Sequence, residues 1–152
     1  ELELLTPIKG HILRLEGGPD VGPVMRGDGV YVCPDPAGAL VGATMEHGVA
    51  DRTVDAARVA ALRGAAEALL PDLQGLSASA FTGVRAATPD GLPMVGWSRR
   101  PGVMLAVGAR RNGWLLAPLV ARTVAAYVAG EDPGPYAGRL DPRRFDNKET
   151  GA

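Results

Sequence analysis

Gly29-Val30-Tyr31-Val32-Cys33-Pro34-Asp35-Pro36-Ala37-Gly38-Ala39-Leu40-Val41-Gly42-Ala43-Thr44 is the stretch that decides the fold. Gly29 to Cys33 is β-branched and aromatic and bounded by Asp28-Gly29 and Pro34, which reads as a strand. Pro34 to Gly38 is a turn and Ala39 to Thr44 returns, so residues 29–44 predict an antiparallel hairpin. Upstream, Ile8 to Glu16 predicts a further strand, stopped by Gly17-Gly18-Pro19-Asp20. Downstream, Thr53 and Asp55 are N-cap candidates for a helix reaching about Leu70, where Pro71 ends it. Val59, Leu62, Ala66, Leu69 and Leu70 fall on one face of that helix. Leu76 to Arg85, Pro93 to Trp97 and Val103 to Val107 predict three more strands. The loop Gly108 to Gly113 leads into a second helix, from about Leu116 to Ala129, closed by Gly130. Pro118 suits that helix only within its first turn, where a missing N–H costs little. Glu131 to Ala152 is charged and rich in Pro and Gly, and reads as an extended tail. Tight turns between most strands, with the two helices coming late, predict an α+β fold. It has a largely antiparallel sheet and two main helices, rather than a doubly wound parallel sheet.

Composition narrows the function. A chain of 152 residues makes one domain or slightly more. Lys and Arg number 16 against 17 Asp and Glu, a net charge of −1 without the basic footprint that nucleic acid requires. No Lys/Arg cluster marks an anionic membrane surface, and the longest apolar run, Trp114 to Ala121, is far too short for a membrane span. One cysteine, Cys33, supplies neither a disulfide framework nor a zinc-ribbon ligand set. A cytoplasmic protein is the expectation. The opening Glu1-Leu2-Glu3-Leu4-Leu5 carries no initiator Met and no signal-peptide pattern, which reads as entry into the middle of a longer polypeptide.

Side chains able to do chemistry are few. His11 and His47 have no metal-ligand spacing, and Met45-Glu46-His47 reads as a loop without a metal role. Cys33 reads as a small core residue, the serines lack a nucleophile elbow, and no phosphate loop or dinucleotide fingerprint occurs. Trp97 and Trp114 read as packing anchors, and Arg99-Arg100 and Arg143-Arg144 as solvated charges. Two arginine sites remain: Arg85 ends an apolar strand, and Arg110-Arg111 sits in a glycine-flanked loop before a helix. Either these are solvated surface groups, or Arg85 and one of the loop pair converge on an anion. The helix start beside the loop adds free N–H groups and the positive end of a dipole to the second reading.

Six strings then occur together: Pro7 to Leu15 (PIKGHILRL), Val30 to Pro34 (VYVCP), Val41 to Glu46 (VGATME), Gly83 to Arg85 (GVR), Thr88 to Gly96 (TPDGLPMVG) and Arg111 to Pro118 (RNGWLLAP). In this order and spacing they resemble the C-terminal half of the D-amino-acid oxidase-like FAD-dependent oxidoreductases, and within them the glycine oxidases of thiamine biosynthesis. The resemblance covers about residues 7–130, and the N-terminal dinucleotide-binding half has no counterpart. It implies a substrate-binding domain at 1–98, a returning segment of the FAD-binding domain at 99–130 (strand, flavin-contact loop, C-terminal helix) and an extended tail at 131–152. Arg85 matches the arginine that pairs with the substrate carboxylate, and Arg111 the arginine of the family's Gly-His-x-Arg-Asn-Gly loop near flavin and substrate. Tyr31 matches a substrate-pocket tyrosine. Ala109, Arg110, Arg111, Asn112, Gly113, Trp114 and Leu115 match the loop and helix start that lie against the flavin.

The implied reaction oxidises the C–N bond of a small amino acid (glycine, sarcosine or a D-amino acid) to an imino acid by hydride transfer to FAD, with oxygen as acceptor and hydrogen peroxide as product. The flavin does the chemistry, so no catalytic side chain and no metal is implied. No Cys lies near Arg85, where covalent relatives attach the flavin, so FAD is expected to be non-covalent and not retained by these residues alone. The implied partners are the amino-acid substrate and the missing FAD-binding half, with homo-oligomerisation left open. Ala86 stands where the family has Pro, Ala109 where it has the loop His, and His11 where Gln is common. A different class also fits: a non-catalytic carboxylate-binding module, or one subunit of a heteromeric amino-acid dehydrogenase.

Overall fold

The structure, a computed structural model, describes residues 1–18 and 21–148. Pro19 and Asp20 of the expected strand stop, and residues 149–152 of the tail, lie outside the described residues. The chain forms two compact units, Ile8–Val84 and Glu1–Pro7 with Arg85–Ala152.

In the first unit the decisive hairpin forms as read. Strand β1 (Thr6–Glu16), β2 (Met25–Gly27), β3 (Val30–Asp35), β4 (Gly38–Gly42) and the two-residue β5 (Glu46–His47) lie in the order β2-β3-β4-β1-β5, with β6 (Ser77–Ala87) also paired to β1. The β3–β4 register runs antiparallel from Tyr31 opposite Gly42 to Asp35 opposite Gly38. At the turn the Asp35 carboxylate accepts the Ala37 N–H at 3.1 Å. Gly38 has φ +148°, and a Cβ there would stand 2.3 Å from the Leu15 carbonyl oxygen, so only glycine fits. Glu46 and His47, expected in a loop, instead pair with Lys9 and Ile8 of β1.

Helix α1 (Ala56–Leu69) starts where Asp55 accepts the N–H groups of Ala57 and Arg58 at 2.8 and 3.1 Å. Its predicted stripe is the packed one. Leu62 and Ala66 are buried with Leu13, Leu15, Val32 and Val41, while Val59, Leu69 and Leu70 close the margin. Each fully buried aliphatic side chain contributes about 1.5–3 kcal/mol.

The second unit holds the antiparallel pair β7 (Met94–Trp97) and β8 (Met104–Val107), with Met94 and Val95 fully buried. Helix α2 (Gly113–Ala129) buries Thr123 and Ala126 and ends on Gly130 in the left-handed region. It begins at Gly113 rather than near Leu116, so Pro118 lies inside the helix and not in its first turn. Its missing N–H leaves the Trp114 carbonyl without an i+4 donor on an exposed face, where water can serve.

The stretch read as an extended tail folds into α3 (Ala137–Leu140) and a 3₁₀ segment, Pro142–Lys148. Leu140, Pro142 and Phe145 are buried, which supplies the reason. Arg144, read as solvated, is nearly buried. It donates to both carboxylate oxygens of Asp90 at 2.8 and 3.0 Å and to the Leu92 carbonyl at 2.7 Å. Arg99 of the other pair also has a partner, the carboxylate of Asp146. Among the described residues, no helix is long and apolar enough to cross a membrane.

Candidate functional site

Arg85 stands near the end of β6, an apolar and small-residue strand whose last residues are joined to a loop far along the chain. Ala87 forms an antiparallel bridge with Ala109, and the Arg110 N–H donates to the Ala86 carbonyl at 3.2 Å. The loop from Gly108 to Asn112 is thereby stitched to the strand two residues from Arg85. Gly108 has φ +81°, and a Cβ there would lie 2.7 Å from the Thr88 methyl carbon, so this glycine is needed for the close approach. Arg110 holds φ +50°, and the Asn112 N–H closes onto the Ala109 carbonyl at 2.8 Å.

From this loop α2 departs. The Asn112 carbonyl accepts the Leu116 N–H at 2.8 Å, but the Asn112 side chain caps nothing. The N–H groups of Gly113, Trp114 and Leu115 therefore point out of the helix end without intrahelical acceptors, at the positive end of a 17-residue dipole. Trp114 is 96% exposed and Leu115 78% exposed, so Trp114 is not the packing anchor its composition suggests. Trp97 is also exposed.

The electrostatic signature lies on Arg85. Its side chain is half-buried, and Nη1 is fully shielded with no hydrogen-bond partner among the described residues. A shielded cationic donor left unmade costs about 1–3 kcal/mol or more, which a bound anion would offset. A carboxylate is the matching shape, because the guanidinium fork can donate to both of its oxygens.

Of the residues expected at the site, Arg85 and the run Ala109, Arg110, Arg111, Asn112, Gly113, Trp114 and Leu115 all lie in the unit formed by Glu1–Pro7 and Arg85–Ala152. The backbone bridge brings the Arg85 strand end and the 109–112 loop together. Tyr31 lies in the other unit, half-buried in β3 opposite Gly42.

Sequence reasoning missed a polar knot in that unit. His11 is fully buried; its Nδ1 lies 3.0 Å from both Thr44 Oγ1 and Glu46 Oε1, and its Nε2 accepts the Asp55 N–H at 3.0 Å. The backbone N–H can donate only to an unprotonated Nε2, so the ring proton sits on Nδ1 and faces Glu46. Thr44 Oγ1 in turn donates to Glu46 Oε1 at 3.0 Å and accepts the His11 N–H at 2.8 Å. The legible signal was a histidine in an apolar strand opposite an alternating Thr44-x-Glu46 pair.

An antiparallel α+β fold with a shielded arginine donor that lacks a partner among the described residues, and a helix start without a side-chain cap, defines a class, and comparison with known proteins gives it a family. Residues 1–127 match the family described as DAO, FAD dependent oxidoreductase, and the chain belongs to it. It is 36% identical over 150 residues to the glycine oxidase of Pseudomonas putida, an alignment covering 91% of this chain and 41% of that protein. Among solved structures, glycine oxidase from Geobacillus kaustophilus superposes with a TM-score of 0.76 at 30% identity, covering 90% of this chain and 38% of the other. Iminodiacetate oxidase from Chelativorans sp. BNC1 gives 0.80 at 26% identity, covering 91% and 40%. The chain thus spans about two-fifths of the length of these relatives.

The residues present fit the flavin end of FAD. Three N–H groups without intrahelical acceptors, the glycine-held loop and the bare apolar Trp114 and Leu115 offer a surface for a flat, electron-accepting ring.

Proposed function

We propose that this chain is the substrate-binding portion of an FAD-dependent enzyme that oxidises the C–N bond of a small amino acid. Glycine, sarcosine and D-amino acids are the candidate substrates, oxygen the acceptor and the cytoplasm the compartment. The observation that carries this reading is the shielded Nη1 of Arg85, without a hydrogen-bond partner among the described residues, on the strand whose end bridges to the 109–112 loop.

Arg85 binds the substrate carboxylate through paired N–H donors and so fixes the α-carbon to which that carboxylate is attached. Its half-burial in the strand limits the rotamers open to the guanidinium, and orientation is the part of catalysis that this chain supplies. Tyr31 is read as a substrate-pocket hydroxyl, and Arg111 as a second cation near the substrate. Ala109, small and half-buried, leaves room for the amino acid. When bound non-covalently, FAD supplies the two-electron acceptor. The N–H groups of residues 113–115, with Arg110 and Arg111, set a positive potential where negative charge would gather during the reaction.

The test is Arg85→Ala and Arg85→Lys in the complete protein, assayed by peroxide release. Two charge-assisted bonds at about 1.5–3 kcal/mol each give an expected loss in kcat/KM of about 10²- to 10⁴-fold for Arg85→Ala, mostly in KM. Lysine keeps the charge without the fork and should recover part of that loss. An unchanged kcat/KM for Arg85→Ala would remove the reading.

A further inference from the structure

We propose that Gly42 is a positioning residue for Tyr31: the hydrogen it carries in place of a side chain is the berth in which the Tyr31 phenol lies. The inference rests on the reading of Tyr31 as a substrate-pocket hydroxyl and specifies what fixes that hydroxyl.

Tyr31 and Gly42 are cross-strand partners in the β3–β4 hairpin. A Cβ on Gly42 would stand 2.2 Å from the Tyr31 hydroxyl oxygen, 2.3 Å from Cζ and 2.9 Å from Cε1. All three nearest atoms belong to that one ring, and Gly42 itself is buried.

Other glycines differ in kind. Gly38 is required by backbone, because its Cβ would strike the Leu15 carbonyl, and it holds a positive φ. Gly108 combines a positive φ with a close approach to Thr88. Gly42 is not among the residues with positive φ, and the three atoms nearest its added Cβ all belong to the phenol.

The consequence is directional. Restoring ordinary contact between a Cβ and the ring moves the hydroxyl end by about 1 Å, and a misplacement of that size costs up to about 100-fold at a reacting centre. The ring is the free end of a side chain with two rotatable bonds, so it can swing away while the strands keep their register. Gly42→Ala therefore displaces the hydroxyl without deleting it, which no substitution at Tyr31 achieves.

The experiment uses the complete protein with four forms: unsubstituted, Gly42→Ala, Tyr31→Ala and Tyr31→Ala/Gly42→Ala, with KM and kcat read separately. Gly42→Ala is expected to raise KM about tenfold or more with kcat changed less, and Tyr31→Ala to do likewise. The double variant should match Tyr31→Ala within about twofold, because the cost of the added methyl exists only while the ring is present. A Gly42→Ala KM at the unsubstituted value, while Tyr31→Ala raises it, overturns the role of Gly42 alone. So does a further full-size loss in the double variant. A normal KM in Tyr31→Ala instead removes the substrate role of Tyr31. If Gly42→Ala alone fails to fold, the double variant should recover the unsubstituted melting cooperativity, and failure to recover it overturns the inference.

Discussion

Arg144 and Asp90 show how one residue pair converts sequence into stability. The guanidinium grips both carboxylate oxygens, and this holds the Asp90 carboxyl well below its usual range, down to about 2 from 3.8. Because the folded-state value is depressed, the pair's contribution is present in full above the unfolded value near 3.8 and disappears as pH falls through about 2. The shift corresponds to about 2 kcal/mol at most, and less where water reaches Asp90. Urea denaturation between these pH values should therefore show the stability of the native chain falling with acid. Asp90→Asn should lower the neutral-pH midpoint and flatten that part of the profile; a profile as steep as the native one would rule the pair out as its source.

His11 acts differently at the same scale. It is a buried group whose two nitrogens serve one donor and one acceptor role at once. Glutamine offers the same two roles through its amide, whereas leucine offers neither. His11→Leu leaves the Asp55 N–H and the Glu46 carboxylate each without this partner, at about 1–3 kcal/mol apiece. His11→Gln should cost under about 1.5 kcal/mol by comparison. Equal losses for the two substitutions in urea unfolding would show that ring volume, not hydrogen bonding, is what the site requires.

Among the elements, α1 is the one whose start is most sharply specified, because Asp55 receives two backbone N–H groups and gives its own to His11. Those N–H groups, Arg58's foremost, also hold the Asp55 carboxyl below its usual range. Asp55→Ala should lower the melting temperature, while Asp55→Asn retains most of the cap. A melting temperature that falls equally for both would place the effect on charge instead.

The same element explains what was legible beforehand. A cap residue, a stripe repeating at helical spacing and a proline stop are local signals, so α1 could be read to within a residue or two. The 29–44 hairpin was equally local, with its turn residues between two β-forming runs. What could not be read were the long-range pairings. Arg144 meets Asp90 across 54 positions, and His11 meets Asp55 across 44. Neither partner carries a sign of the other, and a charged residue in a Pro/Gly-rich tail has every local mark of solvation. The start of α2 failed for a related reason. Gly113 is a poor helix former and Pro118 reads as a first-turn residue, yet the Ala87–Ala109 bridge fixes where the loop must end. At the candidate site, the arginines were visible as residue types in suggestive places. The stitch that brings the Arg85 strand to the 109–112 loop is a tertiary fact.

For the whole molecule, the decisive question is what these 152 residues bind without further chain. On the proposed reading, the surface they offer to FAD is the 109–112 loop and the first turn of α2. The adenosine diphosphate end has different needs: a glycine-rich turn from a strand into a helix, whose N–H groups receive the pyrophosphate. No such fingerprint occurs in the sequence, and the β1–β4, β1–β5, β2–β3 and β3–β4 pairs of the described residues are antiparallel. Each pyrophosphate hydrogen bond forgone is worth about 1.5–3 kcal/mol, so two or three of them weaken binding by about 10²-fold or more. Flavin fluorescence titrated with this chain at about 10 μM should accordingly show no saturable complex, whereas the complete protein should retain FAD through gel filtration. A stoichiometric complex with the 152 residues alone would mean that the loop and helix start hold far more of the cofactor than its ring.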